Sequence, residues 1–223
     1  MKNIRIAIDG PSGVGKSTLA KNLAKSLGIM YLDTGAMYRV IGLWALKNNI
    51  DTHDEAAIEP LLPKLDVSVR FKDGAQKTLL NGEDVTAFLR TEDVSKAASD
   101  VSTITSVRRK LVQLQREIAS GNSIVLDGRD IGTVVLKDAE FKFFITASNE
   151  VTARRRYDEF LAKGEEASYE KVLADIIERN RQDTTRATDP LRAADDAVII
   201  NTDNLNATEV MEYALNIIGA QKL

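Results

Sequence analysis

The sequence predicts an α/β fold in which an open parallel sheet of about five strands is flanked by helices. Three observations carry that prediction. Short β-branched runs alternate with helical patterns along most of the chain, a glycine-rich loop joins the first strand to the first helix, and residues 60–90 break the alternation with a hairpin pattern. The length agrees: 223 residues suit one domain, 1–223, carrying an insertion. A chain of this size buries about 70% of its unfolded surface without help from disulfides.

Residues 4–8 (IRIAI) form the first strand, and residues 17–27 repeat leucine at 19, 23 and 27 before Gly28, which suits a helix end. Residues 29–32 read as a second strand. From Ala36 onward Val40, Ile41, Trp44 and Ala45 share one helical face, with Thr34 as the expected N-cap. In the insertion Leu65, Val67, Val69 and Phe71 alternate with polar residues, Asp73-Gly74 suits a turn, and Thr78 to Leu80 runs into Asn81-Gly82. That is a small antiparallel sheet. Val107, Leu111, Leu114 and Ile118 mark a long amphipathic helix that ends at Gly121-Asn122, and 123–127 (SIVLD) and 141–146 (FKFFIT) are core strands. Helical patterns near 149–163 and 168–182, a last strand at 197–201 and a last helix at 206–219 complete the chain.

Composition removes several classes of function. Thirty Lys and Arg against 33 Asp and Glu leave a net charge of −3, so no global basic field attracts nucleic acid. With no cysteine, thiolate metal sites and a cysteine nucleophile are excluded, and the single His53 cannot build a histidine cluster. The N-terminal apolar stretch is short and broken by Arg5, and no apolar run approaches the roughly 18 residues of a membrane span. A soluble, cytoplasmic monomer with no nucleic-acid or membrane partner is expected.

Gly10-Pro11-Ser12-Gly13-Val14-Gly15-Lys16-Ser17 matches G-x-x-x-x-G-K-[ST] in full, between a strand and a helix as the motif requires. Its glycines let successive backbone N–H groups turn toward one polyphosphate, Lys16 neutralises the β- and γ-oxygens, and the Ser17 hydroxyl suits Mg²⁺. The predicted architecture is thus a P-loop NTPase fold, which leaves GTPases, motor ATPases and small-molecule kinases open. A GTPase would carry a base-reading N-K-x-D segment late in the sheet, and none is present. A kinase needs a second anion site, for which the sequence offers candidates.

Asp33-Thr34-Gly35 follows the second strand, and Arg39 one turn later could face the same anion as a free helix N-terminus. Leu126-Asp127-Gly128-Arg129-Asp130 ends the most apolar strand at the ligand edge of the sheet, and Asp127 suits a Mg²⁺-contacting role. Arg179, Asp183 and Arg186 share one helical face if the helix continues that far; spacing alone favours a surface ion-pair row over a site. Arg154-Arg155-Arg156 is likewise either a solvated run or the arginine set of a phosphoryl-transfer lid.

IDGPSGVGKST, LDTGAMYRV, GEDVT, LRTEDVSKAAS, DGRDIGTVV and IERNRQDTTRATDPL, in that order over nearly the whole chain, resemble the motifs of the bacterial cytidylate kinase family of nucleoside monophosphate kinases. The family often has serine where this chain has Thr34, and both carry a hydroxyl. The resemblance implies ATP on residues 10–18 (Gly10 through Thr18) and CMP or dCMP as acceptor. It implies that Ser99, Arg108 and Asp130 recognise cytosine, that Arg39, Arg129 and Arg186 hold the acceptor phosphate near Thr34, and that Arg179 and Asp183 hold the sugar. Residues 60–100 would be the NMP-binding insertion and 154–167 the lid. Lys16, Arg129, Asp130, Arg154 and Arg156 would form the catalytic set, with Ser17 and Asp127 holding Mg²⁺. Acceptors such as UMP or a nucleoside, and a nucleotide-binding regulatory module without turnover, stand as the competing readings.

Overall fold

The computed structural model describes residues 3–72 and 75–220, so the expected Asp73-Gly74 turn lies outside the described residues. Each apolar run found in the sequence becomes a strand: β1 (Arg5–Asp9) leads through the glycine loop into α1 (Lys16–Leu27), then β2 (Met30–Asp33) and α2 (Thr34–Lys47). Gly28 ends α1 in the left-handed region, as its sequence position requires. A short helix, α3 (Glu55–Ile58), and a tight helical turn precede the antiparallel strands β3 (Val67–Lys72), β4 (Ala75–Leu80) and β5 (Glu83–Asp84).

Two helices, α4 (Glu92–Val101) and α5 (Thr105–Ala119), lead back into the main sheet. The remainder alternates β6 (Ile124–Asp127), β7 (Phe141–Thr146), α6 (Asn149–Ala162), α7 (Tyr169–Thr185), β8 (Val198–Asn201) and α8 (Ala207–Ala220).

The main sheet is parallel throughout in the order β2-β6-β1-β7-β8. Successive residues of β1 serve opposite faces. Ile6 and Ile8 pack with Leu19 and Leu23 of α1 and Ala214 and Ile218 of α8, while Ala7 joins Leu32, Leu126, Met37 and Leu111 on the other face. The chain leaves β1 toward β2 on one side and later toward β7 on the other. That reversal opens the crevice at the carboxyl ends of the strands, where Asp9, Asp33 and Asp127 end three neighbouring strands.

The inserted hairpin is a second sheet, β3-β4-β5, but it has no core of its own: Val67 and Leu80 are buried in the cluster that holds α2 and α5. By contrast the α6–α7 hairpin closes on a small separate cluster of Ala153, Val172 and Ile176. α4 has no counterpart among the sequence-derived helices, although its signal was present. Thr91 caps it, and Val94, Ala97, Ala98 and Val101 are buried at helical spacing. It lies so close to α2 that a Cβ on Gly42 would stand 2.8 Å from the Ala98 nitrogen. No helix among the described residues is long and apolar enough to cross a membrane.

Candidate active site

The glycine loop lies where β1 meets α1, and its backbone explains its composition. Gly10, Gly13 and Gly15 have φ of 145°, 76° and 94°, which side chains rarely adopt, and a Cβ on Gly10 would fall 2.1 Å from the Ile145 carbonyl oxygen. A Cβ on Gly13 would strike Thr152, so the start of α6 lies directly against the loop. Asn180 of α7 adds a tie: its Oδ1 accepts from the Ser12 N–H at 3.1 Å, while its amide donates to Asn149 at 2.9 Å.

Lys16 is buried, folds back on the Pro11 carbonyl, and has a proton affinity well below that of an ordinary lysine because burial, then Arg129, disfavours its charge. Such a cation gains most when phosphate arrives.

Ser17 donates to Asp127 Oδ2 at 2.6 Å and Tyr31 to Asp127 Oδ1 at 2.9 Å. Burial, then Asp33, pushes the Asp127 carboxyl up. A buried carboxylate beside a hydroxyl is an oxygen pair that a hard divalent cation would relieve. Among the described residues no three acidic, histidine or cysteine side chains converge, so phosphate and water oxygens would have to complete any Mg²⁺ shell.

The acceptor side differs from expectation at the start of α2. Asp33, not Thr34, caps the helix, accepting from the Ala36 N–H at 2.9 Å, so the helix N-terminus is not free. Thr34, expected to touch substrate, is buried and donates to the Asp127 carbonyl at 2.7 Å. Asp33 also holds Arg39 at 2.8 Å and lies 3.6 Å from the exposed Arg90, while Gln76 of β4 accepts from the Asp33 N–H at 2.7 Å. The hairpin is thereby tied to the end of β2.

Opposite these groups the loop 128–130 and the end of α7 interlock. Arg129 donates from Nε to Asp183 at 2.7 Å; Arg108, 1% exposed, pairs with Asp130; Arg186 lies 3.7 Å from Asp183 and 3.8 Å from Asp130. α7 ends at Thr185, but Arg186 returns to the face of Arg179 and Asp183, so the three do converge. Burial opposes the Asp183 charge, and Arg129, Arg179 and Arg186 outweigh it, holding that carboxyl below its usual range.

Arg179 is the unsatisfied member: its Nε is buried without a partner, and burial, then Arg129, brings its affinity for a proton down to about 10. The buried Arg39 Nε is orphaned as well. Ser99 donates to Gln182 Oε1 at 3.2 Å and lies within the insertion's last helix, facing α7.

Of the arginines expected on a lid, Arg154 stacks over Tyr169 at 4.7 Å and Arg156 over Phe160 at 5.2 Å, and the Arg156 charge also reaches Arg179. Arg155 instead fastens α6 to the Thr202 carbonyl at 2.6 Å. His53, the single histidine, lies 3.5 Å from Asp100.

Sequence reasoning overlooked Asp9, Tyr31, Gln76, Asn180, Gln182 and Asp189. Asp9 alone carried a readable signal, a carboxylate directly after a buried apolar run, as at Asp127. Its two oxygens accept from the Ile131 and Gly132 N–H groups at 2.8 and 2.7 Å, fixing the π-helical turn that follows Asp130.

A phosphate loop facing a cluster of arginines across the crevice of a parallel sheet defines a P-loop kinase, with ATP on one side and an anionic acceptor on the other. Solved structures agree on the fold: shikimate kinase from Bacteroides thetaiotaomicron superposes with a TM-score of 0.50 at 15% identity over 99% of both chains. A gluconokinase from Sinorhizobium meliloti gives 0.51 at 14% identity over 98% of this chain and 93% of its own.

Sequence carries the assignment further, since a family model for cytidylate kinase matches residues 6–220. The cytidylate kinase of Carboxydothermus hydrogenoformans is 50% identical over 97% of both chains, and that of Caldanaerobacter subterraneus is 51% identical over 94% of this chain and 92% of its own. The chain belongs to the cytidylate kinase family of nucleoside monophosphate kinases.

Proposed function

We propose that this chain transfers the γ-phosphoryl group of ATP to the 5′-phosphate of CMP or dCMP, giving ADP and CDP or dCDP, with the polyphosphate on residues 10–18 and the acceptor between α2, α5, loop 128–130 and the end of α7. The observation that carries the acceptor half is the convergence of Arg129, Arg179, Asp183 and Arg186 on one wall, with a buried Arg179 nitrogen left unpartnered for an incoming oxygen.

Cytosine presents a donor at N4 and an acceptor at N3, which a carboxylate and a cation or hydroxyl match; Asp130, Arg108 and Ser99 supply that set. Uracil reverses both polarities and would leave buried groups unpaired. The acceptor phosphate is already a nucleophile, so no general base is needed and rate comes from positioning and charge neutralisation.

Lys16 would neutralise β- and γ-oxygens, and Arg39, Arg129 and Arg186 would hold the acceptor phosphate. Mg²⁺, when bound with ATP, would neutralise phosphate charge, and Ser17 and Asp127 fit it as oxygen ligands. Arg154 and Arg156 lie on the α6–α7 hairpin, whose own small core suits a lid moving as a unit, and would reach the transferring group on closure.

The test is ADP formation from Mg-ATP with CMP, dCMP, UMP, AMP, GMP or no acceptor at matched concentrations. Turnover with CMP and dCMP well above the other four is expected. Turnover led by another acceptor, or ATP binding without turnover on any, would replace this reading.

A further inference from the structure

The segment that closes the acceptor wall contains a residue to which the family resemblance assigns no role. Asp189 has φ of 50°, a left-handed backbone that costs most side chains about 1 kcal/mol and that Asp tolerates better than most. That backbone serves two arginines at once. The Asp189 carbonyl accepts from Arg186 Nε at 2.8 Å, and its carboxylate accepts from Arg108 Nε at 3.2 Å.

Neighbouring bonds hold the turn in place: Thr188 and Thr105 share a hydroxyl bond of 2.7 Å, and the Leu191 N–H donates to the Asp183 carbonyl at 2.8 Å. Arg108 then has each guanidinium nitrogen engaged, with Nη2 on Asp130, Nη1 on the Ser102 carbonyl at 3.2 Å and Nε on Asp189, while its plane lies over Tyr38 at 5.7 Å. Burial opposes the Arg108 charge, and Tyr38, Asp130 and Asp189 more than restore it.

We propose that Asp189 is a positioning residue of the acceptor pocket, which fixes the plane of Arg108, and through it Asp130, while its backbone carbonyl fixes Arg186. Remove the carboxylate and one nitrogen of a buried guanidinium loses its acceptor, so Arg108 rotates to find another and Asp130 follows. The donor side shares none of these bonds. The inference rests on the acceptor reading above, and the experiment separates the two.

Steady-state constants for CMP and ATP would be measured on the wild-type chain and on Asp189→Gly and Asp189→Asn. Glycine removes the carboxylate and relieves the backbone, so the variant keeps its fold; asparagine keeps an accepting oxygen in the same backbone. The Gly variant is expected to raise KM for CMP about tenfold, the scale of one buried hydrogen bond. Its kcat and its KM for ATP should stay within about twofold, and asparagine should restore most of the loss.

An unchanged KM for CMP in the Gly variant, equal losses for both nucleotides, or an Asn variant as impaired as the Gly variant would each overturn the positioning role. A wild-type chain inactive on CMP would overturn the acceptor reading and this inference together.

Discussion

The two halves of the crevice are built on opposite plans. The proposed donor half is nine consecutive residues, 10–18, whose backbone N–H groups would do the binding and whose glycines allow the positive φ that aims them. The proposed acceptor half would draw Arg39, Ser99, Arg108, the pair Arg129 and Asp130, and the series Arg179, Asp183 and Arg186 from segments far apart in sequence. In the donor half a single buried cation, Lys16, waits on a backbone carbonyl. In the acceptor half nearly every arginine is already paired with a carboxylate, so binding there is an exchange of partners rather than the filling of an empty field. A backbone site is generic to any polyphosphate; a site of interlocked side chains can be selective.

The largest effect should come from cutting the donor half at its one cation. Lys16→Ala is expected to lower kcat by roughly 10²–10³, the scale for losing one preorganised charge at a transferring group. Single-turnover kinetics read it directly, and unchanged chemistry with weaker ATP binding would show Lys16 to be a ground-state ligand only.

Next in size, Asp130→Ala should reduce kcat/KM for CMP by about 100-fold, since it strips the proposed base site of its carboxylate and takes the acceptor from Nη2 of the buried Arg108. KM for ATP should hold within about twofold. Equal losses for both nucleotides would break the division between the halves.

The same contrast decides what could be read in the sequence. The parallel sheet, its flanking helices and the separate antiparallel insertion were legible because periodicity is local, and the donor loop was legible because its residues are contiguous. The acceptor pocket was not, because spacing within one helix cannot say what a row of charges faces. Arg179, Asp183 and Arg186 read as a surface network until the resemblance supplied a partner, and only Arg129, brought 54 residues across the chain, makes them a wall.

Asp189 was missed for the same reason: its carboxylate meets Arg108 across 81 residues. The cap of α2 was misplaced by a single residue, because Asp33 and Thr34 are both good caps and tertiary structure spends the Thr34 hydroxyl on Asp127. Its consequence is larger than its size, since the capping carboxylate also occupies Arg39.

Asp9 belongs to both halves and so offers the finest test of their separation. It is the last residue of the donor strand, yet its carboxylate holds the turn that follows the acceptor's Arg129 and Asp130. Burial pushes it up to about 7, with the two amide bonds and Lys16 working against that rise and Asp130 adding to it. The folded state therefore binds this proton more tightly than the unfolded chain, whose carboxyl titrates near 3.8. The stabilisation is complete below that value and is lost as pH rises through about 7.

Asp9→Asn carries no charge at any pH and cannot share that loss, though its amide forfeits one of the two N–H bonds throughout. Its Tm should accordingly gain on the wild-type value by a few degrees between about pH 4 and pH 7, and the difference should level off above that range. Its KM for CMP, not for ATP, should rise severalfold at every pH because the acceptor turn is held by one bond fewer. Parallel Tm curves would mean that Asp9 keeps an ordinary carboxyl, and an ATP defect as large as the CMP defect would mean that the strand's last residue serves the loop it precedes.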